Sequence, residues 1–103
     1  MDERINFRIV ILARAKQELI EAWKWYKERE LGLGDRLFDE IEYTFSLIEN
    51  NPEAFPQKRK SYREVRTKIF PYSLIYRISK GTKEVIITSA FHFKRNPKLK
   101  YLK

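Results

Sequence analysis

The sequence contains no cysteine, a single histidine (His92) and only three glycines. Without cysteine there are no disulfides and no thiolate metal sites, and the redox compartment stays open. One histidine cannot assemble a zinc-ligand set, so no metal is expected. Three glycines leave no room for a Walker or dinucleotide-binding loop, and no cofactor is expected. No serine is paired with a histidine and an acid in a catalytic pattern. No apolar run approaches the ~20 residues of a membrane span, and the opening MDERINFRIV lacks the apolar stretch of a signal peptide. A cytoplasmic protein without a membrane partner is the expectation. Internal repeats and low-complexity segments are absent too.

What the chain has in abundance is positive charge, unevenly placed. Residues 57–103 carry 14 Lys and Arg against two acids, Glu64 and Glu84, whereas residues 1–56 carry 8 against 12 Asp and Glu. Together they give the formal net charge of +8. Such polarity steers a polyanion or an acidic protein surface toward one side of a fold. At 103 residues, 43% hydrophobic and 15% aromatic, the chain supports one folded domain, residues 1–103, with a single core.

Ile5–Leu12 is β-branched and apolar, which predicts a strand. From Ala13 the period changes: Ala15, Leu19, Ala22, Trp23 and Tyr26 recur at helical spacing, with Glu18, Glu21, Lys24 and Glu28 on the other side. Gly32 and Gly34 are expected to break this helix, and Asp35 to cap a second one. In the second, Leu37, Phe38, Ile41, Phe45 and Ile48 form the apolar stripe, and Asn50, Asn51 and Pro52 end it. The short link makes an antiparallel helical hairpin. Tyr62–Ile69 alternates, with Val65, Thr67 and Ile69 on one face and Glu64, Arg66 and Lys68 on the other. Phe70-Pro71 punctuates it. Tyr72–Ser79 is apolar on both alternations and reads as a central strand. Lys80–Lys83 reads as a hairpin turn, Glu84–Phe93 as the last long strand, and Lys94–Lys103 as a basic tail. The expected fold class is α+β: an N-terminal strand, an antiparallel two-helix hairpin, then a three-stranded antiparallel meander (β-α-α-β-β-β), with the hairpin on one face of a mainly antiparallel sheet.

Three local patterns, in this element order, carry a resemblance. They are Arg66 ahead of the Phe70-Pro71-Tyr72 turn, the strand Ser73-Leu74-Ile75-Tyr76-Arg77, and the ending Ala90-Phe91-His92-Phe93-Lys94-Arg95-Asn96-Pro97. Over nearly its whole length the chain resembles toxins of the RelE/ParE superfamily of bacterial type II toxin–antitoxin operons. The Phe-Pro-Tyr turn and the His…Pro ending look more like the ParE branch. The resemblance implies growth inhibition, plasmid-stabilisation systems, a cognate antitoxin that wraps the toxin, and a homodimer or larger toxin–antitoxin complex as possible assemblies. A ParE-type member is implied to poison DNA gyrase without cutting RNA. A RelE-type member is implied to cut mRNA on the ribosome without metal. A small basic nucleic-acid-binding protein is the third alternative.

Metal-free RNA cleavage needs a base, cations to hold the phosphorane charge, and an acid for the leaving oxygen. The catalytic candidates are Arg66, Lys68, Arg77, His92 and Lys94, with Glu64 and Tyr76 as further acid–base groups. His92 fits equally a packed strand end, Tyr76 a core aromatic, and Glu64 a surface ion pair. The tail is read as lacking the terminal aromatic acid–base pair of some nuclease members. Target or nucleic-acid contacts are assigned to Arg63, Arg66, Lys68, Lys94, Arg95, Lys98 and Lys100. Trp25 and Tyr43 lie off their helices' apolar stripes and are the expected antitoxin contacts.

Overall fold

The computed structural model describes residues 7–101. Its elements run β1 (Arg8–Ile11), α1 (Ala13–Arg29), α2 (Leu33–Asn50), β2 (Gln57–Arg59), β3 (Tyr62–Arg66), β4 (Tyr72–Ser79) and β5 (Glu84–His92), followed by a 3-10 turn at Pro97–Leu99. The strands form one sheet in the order β1-β5-β4-β3-β2. Neighbours are antiparallel except β1, which runs parallel to β5 with Arg8 opposite Glu84. The expected α+β class and order hold, and β4 is the central strand. The meander gains an extra strand, β2, which the sequence hides because Gln57, Lys58 and Arg59 are all exposed and carry no apolar alternation. Short and basic, this edge discourages pairing with another chain. The first strand's expected start, Ile5 and Asn6, lies outside the described residues.

The helices cover one face. Ala15, Leu19 and Ala22 of α1 and Leu37, Ile41 and Ile48 of α2 share a core with Val65, Tyr72, Leu74, Tyr76, Val85 and Ile87. Leu37, Ile48 and Leu74 are fully enclosed, and each contributes about 2 kcal/mol relative to an exposed position. Phe38 does not join the stripe. It is 44% exposed, and Thr44 takes the inward position, its hydroxyl donating to the Glu40 carbonyl at 2.8 Å.

Two corrections concern the turn between the helices. Gly32 is itself the residue ahead of α2, in the left-handed region at φ 82°, a conformation glycine adopts without strain. Asp35 therefore sits inside the first turn, where its charge complements the helix's positive end. Gly34 does not break a helix. It is buried in that turn, where an added Cβ would come within 3.1 Å of the Trp23 ring and carbonyl.

β3 ends at Arg66 rather than continuing to Ile69. The backbone N–H groups of Lys68 and Ile69 donate to Glu40 Oε2, and the Thr67 hydroxyl donates to the Phe70 carbonyl at 2.5 Å. This closed loop turns Ile69 outward, 72% exposed, against the strand-face expectation.

In β5 the register with β4 shifts between Ile75 and Tyr76: Ile75 pairs with Ser89 but Tyr76 with Ile87, leaving Thr88 as an extra residue. Beyond the bulge β1 no longer pairs with β5, and a carboxylate from α1 accepts the Ala90 N–H. That carboxylate is Glu18, expected on the outer face. Its Oε1 accepts from Ala90 N at 2.9 Å and from the Ser89 hydroxyl at 2.8 Å, while Oε2 pairs with Arg14 and Arg95. A helical period places Glu18 away from the stripe only when no bulged strand end reaches past it.

Candidate functional site

The sheet face opposite the helices carries part of the basic half of the chain. From β4 it receives Ser73, Ile75 and Arg77, and from β3 Glu64 and Arg66, because Glu64 pairs with Ile75 and Arg66 with Ser73. Ile75, Phe91 and Tyr62 form a small second core there, closed over by Tyr101. Between this floor and β2 runs a groove of about 660 Å³ lined by Phe55, Lys58, Arg66, Ser73, Phe93 and Lys100, among others. The Arg66 guanidinium lies 4.2 Å from the Phe93 ring centre, so a cation and an aromatic face line the same groove.

The basic tail is ordered rather than loose. Arg95 pairs with Glu18, Asn96 caps the 3-10 turn through Lys98 N at 3.0 Å, and Arg14 donates to the Leu99 carbonyl at 2.7 Å. The chain then reaches Glu64, which takes Lys100 Nζ at 2.7 Å and the Tyr101 hydroxyl at 3.0 Å. Burial alone raises the Glu64 carboxyl. The hydrogen bond and charge of Lys100, the approach of Ser73 and the Tyr101 hydroxyl outweigh it and hold the carboxyl below its ordinary value. Burial first, then the bond to Glu64 and its charge, push the Tyr101 phenol up to about 12. An aromatic–carboxylate pair thus exists in the groove where the tail was read as lacking one. Its signal was a lone Tyr101 among lysines, which nothing local distinguishes.

The remaining acid–base candidates lie elsewhere. His92 pairs in register with Tyr72, whose ring it meets edge-on at 5.0 Å on the helix-covered face. Burial, and secondarily the Lys94 charge, lower its pKa from the ordinary 6.5. Its Nδ1 accepts from Lys94 N at 3.0 Å, which needs that nitrogen unprotonated. Glu64 and Arg66 do share a face, but His92 does not join them. Lys68 leaves it as well, its ammonium 5.5 Å from the Tyr43 ring on α2. Tyr76 is wholly buried, donates to the Pro52 carbonyl at 2.5 Å, and has its phenol pushed up to about 12 by burial, against the lowering charge of Arg63. It is a core residue. The structure therefore separates these candidates into four places: Glu64 with Arg66, His92 beside Tyr72, Lys68 beside Tyr43, and Tyr76 in the core.

Of the expected contact residues, Arg63 donates to the Phe55 carbonyl at 2.6 Å and holds the loop before β2. Arg95 and Lys100 are engaged by Glu18 and Glu64. Arg66, Lys68, Lys94 and Lys98 are exposed, and Arg77 is partly buried beside a second cavity. Trp25 and Tyr43 are each 50% exposed, and Arg29 stacks over the Trp25 ring at 4.0 Å. Trp25 also borders a pocket between α1 and the end of β5, with Tyr26, Tyr72 and His92. Among the described residues no cluster of three or more His, Asp or Glu could hold a metal ion, and no helix is long and apolar enough to cross a membrane.

Residues 9–97 match the family model described as the ParE toxin of type II toxin–antitoxin systems, parDE. No curated protein matches the chain in sequence. Among solved structures, the chain is similar to one from the chromosomal ParDE system of P. aeruginosa, with a TM-score of 0.70, 14% identity, and coverage of 84% of this chain and 95% of that one. A chain of the M. tuberculosis RelBE2 toxin–antitoxin complex gives 0.62 at 19% identity, covering 85% and 99%. An E. coli RelE mutant solved with an antitoxin RelBc peptide gives 0.63 at 13% identity, covering 96% and 97%. At these identities the likeness is one of fold.

Proposed function

Since this chain belongs to the ParE family, toxins of type II toxin–antitoxin systems, we propose that it arrests growth by binding a macromolecular target, DNA gyrase, and that a cognate acidic antitoxin neutralises it. The observation carrying this reading is the state of the proton-transfer groups beside the cationic groove. Glu64 accepts from both the Tyr101 hydroxyl and Lys100, and His92 stands on the opposite side of the sheet. A phenol near 12 that already donates to a carboxylate is poorly matched to protonating a leaving group at neutral pH. Arg66, Lys58 and Phe93 remain as an open cationic and aromatic surface, suited to docking on a partner.

One observation favours a second reading, RNA cleavage of the RelE type: Tyr101, Glu64, Arg66 and Lys100 do border a single groove. A paired assay decides. The purified chain is expected to inhibit gyrase supercoiling and to leave mRNA intact in a translating extract, whereas codon-positioned cuts with normal supercoiling would establish the nuclease. On the helical side, Trp25 and Tyr43 are the proposed antitoxin anchors. An acidic segment meeting a chain of charge +8 gives association that slows steeply with added salt. An open reading frame beside the gene, encoding a short acidic DNA-binding protein, is the expected source of that segment.

A further inference from the structure

Beyond the groove at Arg66 lies a second concave site. It sits where the β2–β3 hairpin, the end of β4 and the C-terminal 3-10 turn meet, and encloses about 550 Å³. Arg59, Lys60, Arg77 and Lys98 line it, with Tyr62 and Tyr101 between them and no carboxylate on its walls. None of the four cations has an ion-pair partner among the described residues. This contrasts with Arg95 and Lys100 in the same basic half, each of which is matched to a glutamate.

We propose that this cavity is a phosphate-binding site, with Arg77 as its fixed element. Three observations converge on it. Arg77 stands on β4 in register with Ile86, so the sheet holds its stem. Its Nε is buried without a hydrogen-bond partner, so no internal acceptor engages that side of the guanidinium, and the residue borders the cavity half-buried. Lys60 at the hairpin tip has a left-handed backbone, φ 51°, where glycine or asparagine is the easier residue. The Gln57 side chain holds that tip by donating to the Lys60 carbonyl. A guanidinium fork with three further cations and no acid suits an anion of two or more negative charges. A carboxylate, carrying one charge, would leave most of this field unmatched. Phosphates of a nucleic-acid backbone and of a small phosphorylated molecule share that chemistry. The site is independent of the toxin's target: binding is read directly, whatever the gyrase assay gives.

The test titrates the full chain, at fixed ionic strength, with inorganic pyrophosphate, with a short single-stranded oligonucleotide and with a glutamate peptide of equal charge. Arg77→Gln is expected to weaken phosphate binding at least about tenfold. Lys24→Gln, an equal charge change on the exposed side of α1, is expected to weaken it less than about twofold. The oligonucleotide's log–log salt slope is expected to fall by about one in Arg77→Gln. Arg77-dependent pyrophosphate binding assigns a small phosphorylated ligand. Arg77-dependent binding of the oligonucleotide alone assigns a nucleic-acid backbone. Should Arg77→Gln fail to fold, the exposed pair Arg59→Gln/Lys98→Gln carries the same expectation. Equal losses in Arg77→Gln and Lys24→Gln would overturn the site, as would glutamate-peptide binding as tight and as dependent on Arg77.

Discussion

Strand β4 faces two different environments. Toward the helices it contributes Tyr72, Leu74 and Tyr76 to a core shared with Ala15, Leu19, Leu37 and Ile48. Toward the other side it contributes Ser73, Ile75 and Arg77, roofed only by Tyr62, Tyr101 and the segment that leads to them. The first side is held by shape and apolar area. The second is held by two carboxylates, Glu18 and Glu64, each reaching across the fold to a tail cation. Apolar packing is not screened by salt, whereas an ion-paired roof is. One sheet thus carries a packed body on one side and an exposed, cationic surface on the other.

The contrast is broken most severely from the packed side. Leu74→Ala leaves a cavity in a fully enclosed position and is expected to cost about 3 kcal/mol, read from the denaturant midpoint. Less costly, but confined to the roof, is Glu18→Gln. It weakens the pairs with Arg14 and Arg95 while keeping an acceptor for Ala90 N, so roughly 2 kcal/mol is expected, with residues 94–101 cut early in limited proteolysis. Unchanged protection of that segment would show that Glu18 does not hold the tail. The smallest effect sharpens the comparison through pH. Glu64 has a folded-state pKa below its ordinary 4.5, so its stabilisation is fully present above that value and is lost as pH falls through the lower folded one. Relative to Glu64→Gln, the wild type is expected to lead by about 1 kcal/mol near neutrality, the lead vanishing in acid.

The long periodic elements were legible because each follows one face. Leu37, Ile41 and Ile48 announce α2, and the unbroken YSLIYRIS announces a strand covered on both sides. The Phe70-Pro71-Tyr72 turn with Arg66 ahead of it, the strand Ser73–Arg77 and the ending Ala90–Pro97, taken in this element order, sufficed together to identify the superfamily. What escaped were contacts made across the sequence. Glu18 reads as a solvent residue until a bulge 71 positions later offers it Ser89. Lys68 alternates with Arg66 on paper, yet Glu40, 28 residues earlier, captures its backbone and takes it off the sheet. Which face His92 occupies depends on the same bulge, because one extra residue reverses every side chain beyond it. Tyr101 closes the site through a partner 37 positions away, and no local pattern encodes that distance.

The parallel pairing of β1 with β5 joins Arg8–Ile11 to Glu84–Ile87, nearly opposite ends of the chain. During synthesis the first strand must wait, without a neighbour in the described sheet, until β5 has left the ribosome. A message interrupted before Glu84 therefore yields a fragment with neither β5 nor the roof that Tyr101 closes.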